Sequence, residues 1–168
     1  MSLGKSIVQR VRAQSSEQMG AGNQKGGYFV EAAEGSIRAR VELADAGRLG
    51  CLAMSLQVER TADPEAADVP PAALNVRAEQ LTKRLGYLME DLGLVEIDCR
   101  EGVCQIRSTP PASEEKGVSY YELILEEKGR ATLTRYEKSA GETRRTPRSM
   151  NFSLEVLQRL VDDLAGVV

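Results

Sequence analysis

Strict alternation is the clearest pattern in the chain. Ile37, Ala39, Val41 and Leu43 are separated by Arg38, Arg40 and Glu42, the spacing of a strand with one buried and one solvated face. Ala44, Asp45, Ala46 and Gly47 supply a turn, and residues 49–60 return with Leu52, Met54, Leu56 and Val58 on one face, which predicts an antiparallel hairpin. Val95, Ile97 and Cys99 alternate with Glu96 and Asp98, and after a turn at residues 100–103 the apolar face resumes at Cys104 and Ile106. Residues 118–126 and 130–137 predict a third hairpin around Glu127, Lys128 and Gly129. A shorter strand is expected at residues 28–32.

Two segments change period. Leu74, Ala78, Leu81, Leu85, Leu88 and Leu92 recur at three- and four-residue steps, which predicts an amphipathic helix ending at Leu92 with Gly93 as its cap. Gly86 weakens that helix from inside, or marks a close backbone approach. A last helix is expected over residues 154–164, capped by Ser153 and stapled by Phe152 onto Leu157. Residues 5–19 can form a short helix with Ile7, Val8 and Val11 on one side, and residues 20–27 read as a tether. Residues 1–27 are therefore expected to be a flexible or partly helical segment, dispensable up to residue 26, before a single α+β domain at residues 28–168. Residues 61–72, 109–117 and 139–150 read as polar loops.

The predicted fold is a two-layer α+β sandwich. A mainly antiparallel, curved sheet of about six strands packs against two amphipathic helices. The turns at residues 43–48 and 125–130 are equivalent, and the helix ends Leu88-Met-Glu-Asp-Leu92-Gly93 and Leu160-Val-Asp-Asp-Leu164-Ala-Gly166 are similar. A duplicated hairpin–helix unit, with a pseudo-twofold sheet, is one reading of this. The common chemistry of hairpin turns is the other.

The chain has 168 residues and no histidine. Histidine-based triads, HExxH zinc sites and Cys/His fingers are thereby excluded. With only two Phe, five Tyr and no Trp, the core must be aliphatic. The formal charge of −3 provides no global field for nucleic acid or an anionic membrane. No apolar run reaches the roughly 20 residues of a membrane span, and no signal-peptide core stands at the start. The cytoplasm is the expected compartment, and an odd cysteine count argues against a disulfide framework.

The candidate chemistry is sparse. Asn23-Gln-Lys-Gly-Gly27 matches the opening of a ParA-type phosphate-binding loop, but Tyr28-Phe29-Val30 follows where Gly-Lys-Ser/Thr and a helix are needed. Cys99 and Cys104 flank a hairpin turn and form a candidate redox pair; as residues of an apolar face they read equally as inert core thiols. Cys51 has no visible partner. Asp45, Glu101 and Glu127 lie at turns, where they could gather carboxylates at one sheet end or simply be solvated. Arg144, Arg145 and Arg148, with Lys138, form a basic loop that could hold an anion or an acidic partner, with Arg38 and Arg40 as additions. Of Tyr120 and Tyr121, one must face outward, and an exposed tyrosine near Tyr136 would suit a contact surface.

The order of elements from Lys5 to Leu164 resembles that of the class I type III secretion chaperones, which are small, acidic, dimeric proteins; the hairpin at Val95–Ile106 is additional to that pattern. The lack of a catalytic set, the acidic balance and the amphipathic helices over an antiparallel sheet point to a non-catalytic, homodimeric protein-binding module without a cofactor, and the resemblance implies a chaperone-like one. The alternative is a small hydrophobic-ligand carrier with an aliphatic pocket between sheet and helix. Enzymatic function would have to rest on carboxylate, lysine or tyrosine chemistry, or on a metal held by acids, and nucleic-acid binding lacks both aromatic interleaving and positive charge.

Overall fold

The computed structural model describes residues 1–21, 27–61, 72–98, 100–109 and 111–168. In chain order its elements are α1 (Leu3–Ala21), β1 (Tyr28–Glu34), β2 (Ile37–Ala46), β3 (Gly50–Arg60), α2 (Leu74–Arg84), β4 (Leu92–Asp98), β5 (Val103–Ser108), β6 (Ala112–Glu114), β7 (Gly117–Glu126), β8 (Arg130–Ser139), β9 (Thr146–Arg148), β10 (Met150–Ser153) and α3 (Leu154–Ala165). The class is α+β with an antiparallel sheet, as the alternation predicts. Among the described residues the inventory is larger than expected, with ten strands rather than about six and three α-helices rather than two.

The sheet runs β1-β2-β3-β8-β7-β5-β4, with β6 on β7, β9 on β8 and β10 on β3. Strand β3 pairs with β8 only over Ser55–Glu59. Before that it pairs with β10, while β8 beyond Thr134 pairs with β9. Residues 146–153 thus fill the fork where β3 and β8 part. A Cβ on Gly50 would stand 2.6 Å from the Phe152 carbonyl oxygen, so glycine there permits the close β3–β10 approach. Strands β6 and β9, and the first residue of β10, fall in stretches expected to be loops because three or four residues carry no readable alternation.

The core lies on one face. Val30, Val41, Leu56, Leu133, Leu123 and Ile106 form an unbroken cross-strand row, and all are buried. Ala32, Ala39, Val58, Ala131, Leu125 and Cys104 form the next row, also buried. Helix α1 packs on β1 and β2, α3 on β2, β3 and β10, and α2 on β4, β5 and β7. At about 25 cal/mol per Å² of apolar surface, these rows and helix stripes supply the main driving force.

One face assignment needs correction. In β3 the buried residues are Cys51, Ala53, Leu56 and Val58, while Leu52 and Met54 are half-buried on the other side. The β2–β3 register slips twice, between Glu42 and Leu43 and between Leu43 and Asp45. A bulge re-aims every side chain beyond it.

The long helix also ends early. After Arg84 the chain makes a 3₁₀ turn over Leu85–Leu88, closed by Met89 at φ 60°, and Leu92 and Gly93 belong to β4. Gly86 lowers helix preference there, and the tighter turn still buries Leu85 and Leu88. Arg77 of α2, 1% exposed, donates from Nε to the Val167 carbonyl at 2.6 Å and from Nη1 to the Glu126 carbonyl at 3.1 Å. It ties α2 to β7 and to the chain after α3. Ser153 caps α3 as predicted, its Oγ accepting from the Val156 amide at 3.2 Å.

Helix α1 is longer and more deeply engaged than its sequence suggests. Leu3, Ile7, Val8 and Val11 are buried. The Asp162 carboxylate of α3 accepts from the Gly4 amide at 2.7 Å and the Ser2 hydroxyl at 2.9 Å, satisfying a helix N-terminus. This packing argues against the expectation that residues 1–26 are dispensable.

Candidate functional site

Among the described residues, no helix packs on the opposite face of the sheet. Its register produces polar cross-strand rows: Arg38, Glu59, Arg130 and Glu126; then Glu31, Arg40, Gln57, Thr132, Ile124 and Gln105; then Phe29, Glu42, Ser55, Thr134, Glu122 and Arg107. Exposed pairs lace the rows together. Arg130 meets Glu59 at 3.1 Å and Glu126 at 3.3 Å, and Arg40 meets Glu31 at 3.3 Å while stacking 3.8 Å over Phe29.

Glu122 stands apart from its row because it is only 4% exposed. Its carboxylate accepts from Gln105 Nε2 at 2.7 Å, from Arg107 Nε at 2.8 Å, and from Arg145 Nη1 and Nη2 at 2.7 and 3.1 Å. Arg145 arrives from the segment between β8 and β9 and grips Glu122 as a two-pronged fork. Its guanidinium lies 3.9 Å over the Tyr136 ring, and Nη1 also donates to Tyr120 Oη at 3.3 Å. Arg107 lies 5.3 Å over the Tyr120 ring. Tyr120 and Tyr136 are cross-strand partners with ring centroids 6.2 Å apart.

The electrostatics follow from this geometry. Burial alone would raise the Glu122 pKa; the hydrogen bonds and charges of Arg145 and Arg107 outweigh it and hold the carboxyl below its usual range. The Glu122 hydrogen bond is the main reason the Arg145 guanidinium is held more firmly protonated than usual, against the opposing effect of burial.

The basic loop is divided by the sheet. Arg145 joins the open-face cluster. Arg148 pairs in register with Arg135, on the face of Tyr121, and meets Glu137 at 3.8 Å. Arg144 is exposed. Lys138 shares the open face with Tyr136, opposite Val118, whereas Arg38 and Arg40 lie on β2, beyond β3 and β8. Tyr120 faces out and Tyr121 is buried, as the alternation requires. Tyr121 packs beneath Arg135, 4.5 Å from ring centroid to guanidinium. Arg135 also meets Glu90 at 2.7 Å, and Glu90 accepts from the Ser108 hydroxyl. This second cluster closes the covered face beyond the 3₁₀ turn.

Other candidates fare differently. Residues 22–26 and Cys99 lie outside the described residues, so the NQKGG motif and the Cys99–Cys104 pair do too; the register places Cys104 opposite Ile97. Burial pushes the Cys51 thiol up to about 11 and raises Cys104 as well, Arg77 opposing, so both stay protonated at neutral pH. Asp45 lies near the start of β3, at the opposite end of the sheet from Glu101 and Glu127. Among the described residues no group of acids or cysteines could hold a metal, and no helix is long and apolar enough to cross a membrane.

The surface clefts have mixed polar and apolar linings. One of about 500 Å³ is lined by Arg12, Ser15, Ser16, Arg48 and Leu49. Another of about 420 Å³ lies at the β7–β8 turn among Glu59, Arg60, Glu126, Lys128, Gly129 and Arg130.

Gln105, Arg107 and Glu122 escape sequence reasoning. Each sits at an ordinary solvent-side position of an alternating strand, and nothing local marks Glu122 as the partner of Arg145. Comparison with known proteins finds no matching family model, no matching curated protein and no matching solved structure.

Proposed function

We propose that this chain acts by binding another protein on the open face of its sheet. The observation that carries this reading is the cluster of Arg107, Arg145, Tyr120 and Tyr136 around Glu122. Arginine and tyrosine dominate binding energy at protein interfaces. Here they are already locked by hydrogen bonds and stacking, so little side-chain entropy is lost on docking. Helices on one face and a patterned, uncovered second face also suit a module whose stability and recognition are separated.

The chaperone-like and homodimeric form of this reading rests on element order. Outward from the central β3–β8 pair the sheet reads β3-β2-β1 on one side and β8-β7-β5-β4 on the other; the matching hairpins β2–β3 and β7–β8 support the duplicated hairpin–helix unit, and β4 is an extra strand on one side. The hydrophobic-ligand reading has no observation of its own: the buried side chains between sheet and helices are packed against one another, and the clefts described above lie at the surface among mostly charged and hydroxyl side chains.

Hydrogen exchange on the untagged protein, alone and as the complex captured from its host, tests the proposal. Added protection is expected on β5, β7 and β8. A native mass spectrum showing a discrete small-molecule adduct, with no protection on those strands, overturns it.

A further inference from the structure

We infer that the Arg107–Arg145 corner of the open face is a docking site for an acidic segment of the partner protein and takes that segment's side-chain carboxylates. This inference rests on the binding-module reading and narrows it. The corner presents Arg107, Arg145 and Lys138 around Glu122, with the exposed Glu96 opposite Gln105 in the next row, a local surplus of positive charge on a chain whose net charge is −3. Elsewhere on the open face Arg130 pairs with Glu59 and Glu126, and Arg40 with Glu31.

Glu122 behaves as a built-in stand-in for the ligand. Its two oxygens hold Arg107 Nε and Arg145 Nη1 and Nη2. Among the described residues, the Arg107 Nη groups and Arg145 Nε have no acceptor. Both side chains are about one-third exposed, at 35% and 37%, which leaves room for an incoming carboxylate. A guanidinium carries five N–H donors and can serve two carboxylates at once. Stacking on Tyr136 and Tyr120 keeps both guanidiniums in place before the partner arrives, whether or not the Glu122 carboxylate competes for them.

The geometry favours peptide over nucleic acid. Single-stranded nucleic acid needs free aromatic faces for base stacking, and Arg145 and Arg107 already stack on Tyr136 and Tyr120. The surplus charge is confined to one corner, whereas a polyphosphate backbone needs a continuous basic track.

The test is fluorescence anisotropy of the full-length protein with labelled oligoglutamate, oligolysine and single-stranded DNA. Oligoglutamate should bind best, and more weakly as salt rises. Arg107→Ala/Arg145→Ala should weaken it by about tenfold or more, while Glu122→Gln should tighten it several-fold by removing the competing carboxylate. Because a misfolded variant would not gain affinity, the opposite signs separate recognition from structural damage. Equal binding of oligolysine, tighter binding of DNA, or a Glu122→Gln variant that loses affinity overturns the inference. If oligoglutamate fails while the host complex still protects β5, β7 and β8 from exchange, the acidic ligand is wrong and the binding module stands; if that protection is also absent, the module reading falls with it.

Discussion

The two faces of this sheet are built on the same strands, one residue out of step, and they bury themselves by different means. On the covered face, Val30, Val41, Leu56, Leu133, Leu123 and Ile106 lie side by side beneath three helices. On the open face the neighbouring row ends in Thr134, Glu122 and Arg107, and Glu122 is buried all the same. It is covered by the arginines and tyrosines of its own face. Burial by aliphatic packing is non-directional and tolerates only apolar groups. Burial by charged hydrogen bonds is directional and fixes where each guanidinium points. The first suits a core and the second a recognition surface.

The comparison can be broken most severely by removing α1. Deleting residues 1–21 strips the covered face of Leu3, Ile7, Val8 and Val11, each worth roughly 1.5–3 kcal/mol. The expected result is loss of cooperative unfolding by circular dichroism; an unchanged melting transition would mean that α1 is not part of the core. Leu160→Asp, or Leu85→Asp on the neighbouring element, places a charge at a fully buried position and should cost roughly 4 kcal/mol or more in urea denaturation.

Glu122→Gln probes the open face and should cost about 1–3 kcal/mol at neutral pH. The folded carboxyl sits below its unfolded pKa. Its stabilising contribution is therefore full above the ordinary carboxylate range and is lost as pH falls toward the depressed folded value. The melting-temperature gap between wild type and Glu122→Gln should shrink as pH drops from 7 to about 3; a gap that widens would contradict the ion-pair account. At the smallest end, Glu31→Gln removes an exposed pair with Arg40 and should change stability by less than about 1 kcal/mol, with its effect fading in salt.

Much of the covered face is legible in the chain. The hairpin at residues 37–60, the turn at Gly129 and the cap at Ser153 follow from alternation, a left-handed glycine at φ 84° and side-chain capping. The bulges that turn Leu52 and Met54 outward are not legible, since they arise from a mismatch between two strands. Nor is the depth of α1, whose short apolar stripe is completed by Asp162 from the far end of the chain. The candidate site is legible only in Arg145 and in the outward-facing Tyr120; Glu122 and Arg107 look like any solvated strand residues.

Sequence alone determined the α+β class, the antiparallel pairing, the aliphatic core and the exclusion of histidine chemistry, because each depends on residue type or on spacing within a short window. Tertiary structure alone decided which arginine of the loop meets Glu122, which face each half of β3 presents, and that Arg145 and Arg148 go to opposite sides. Those outcomes depend on register between strands distant in sequence, and a shift of one residue reverses every one of them.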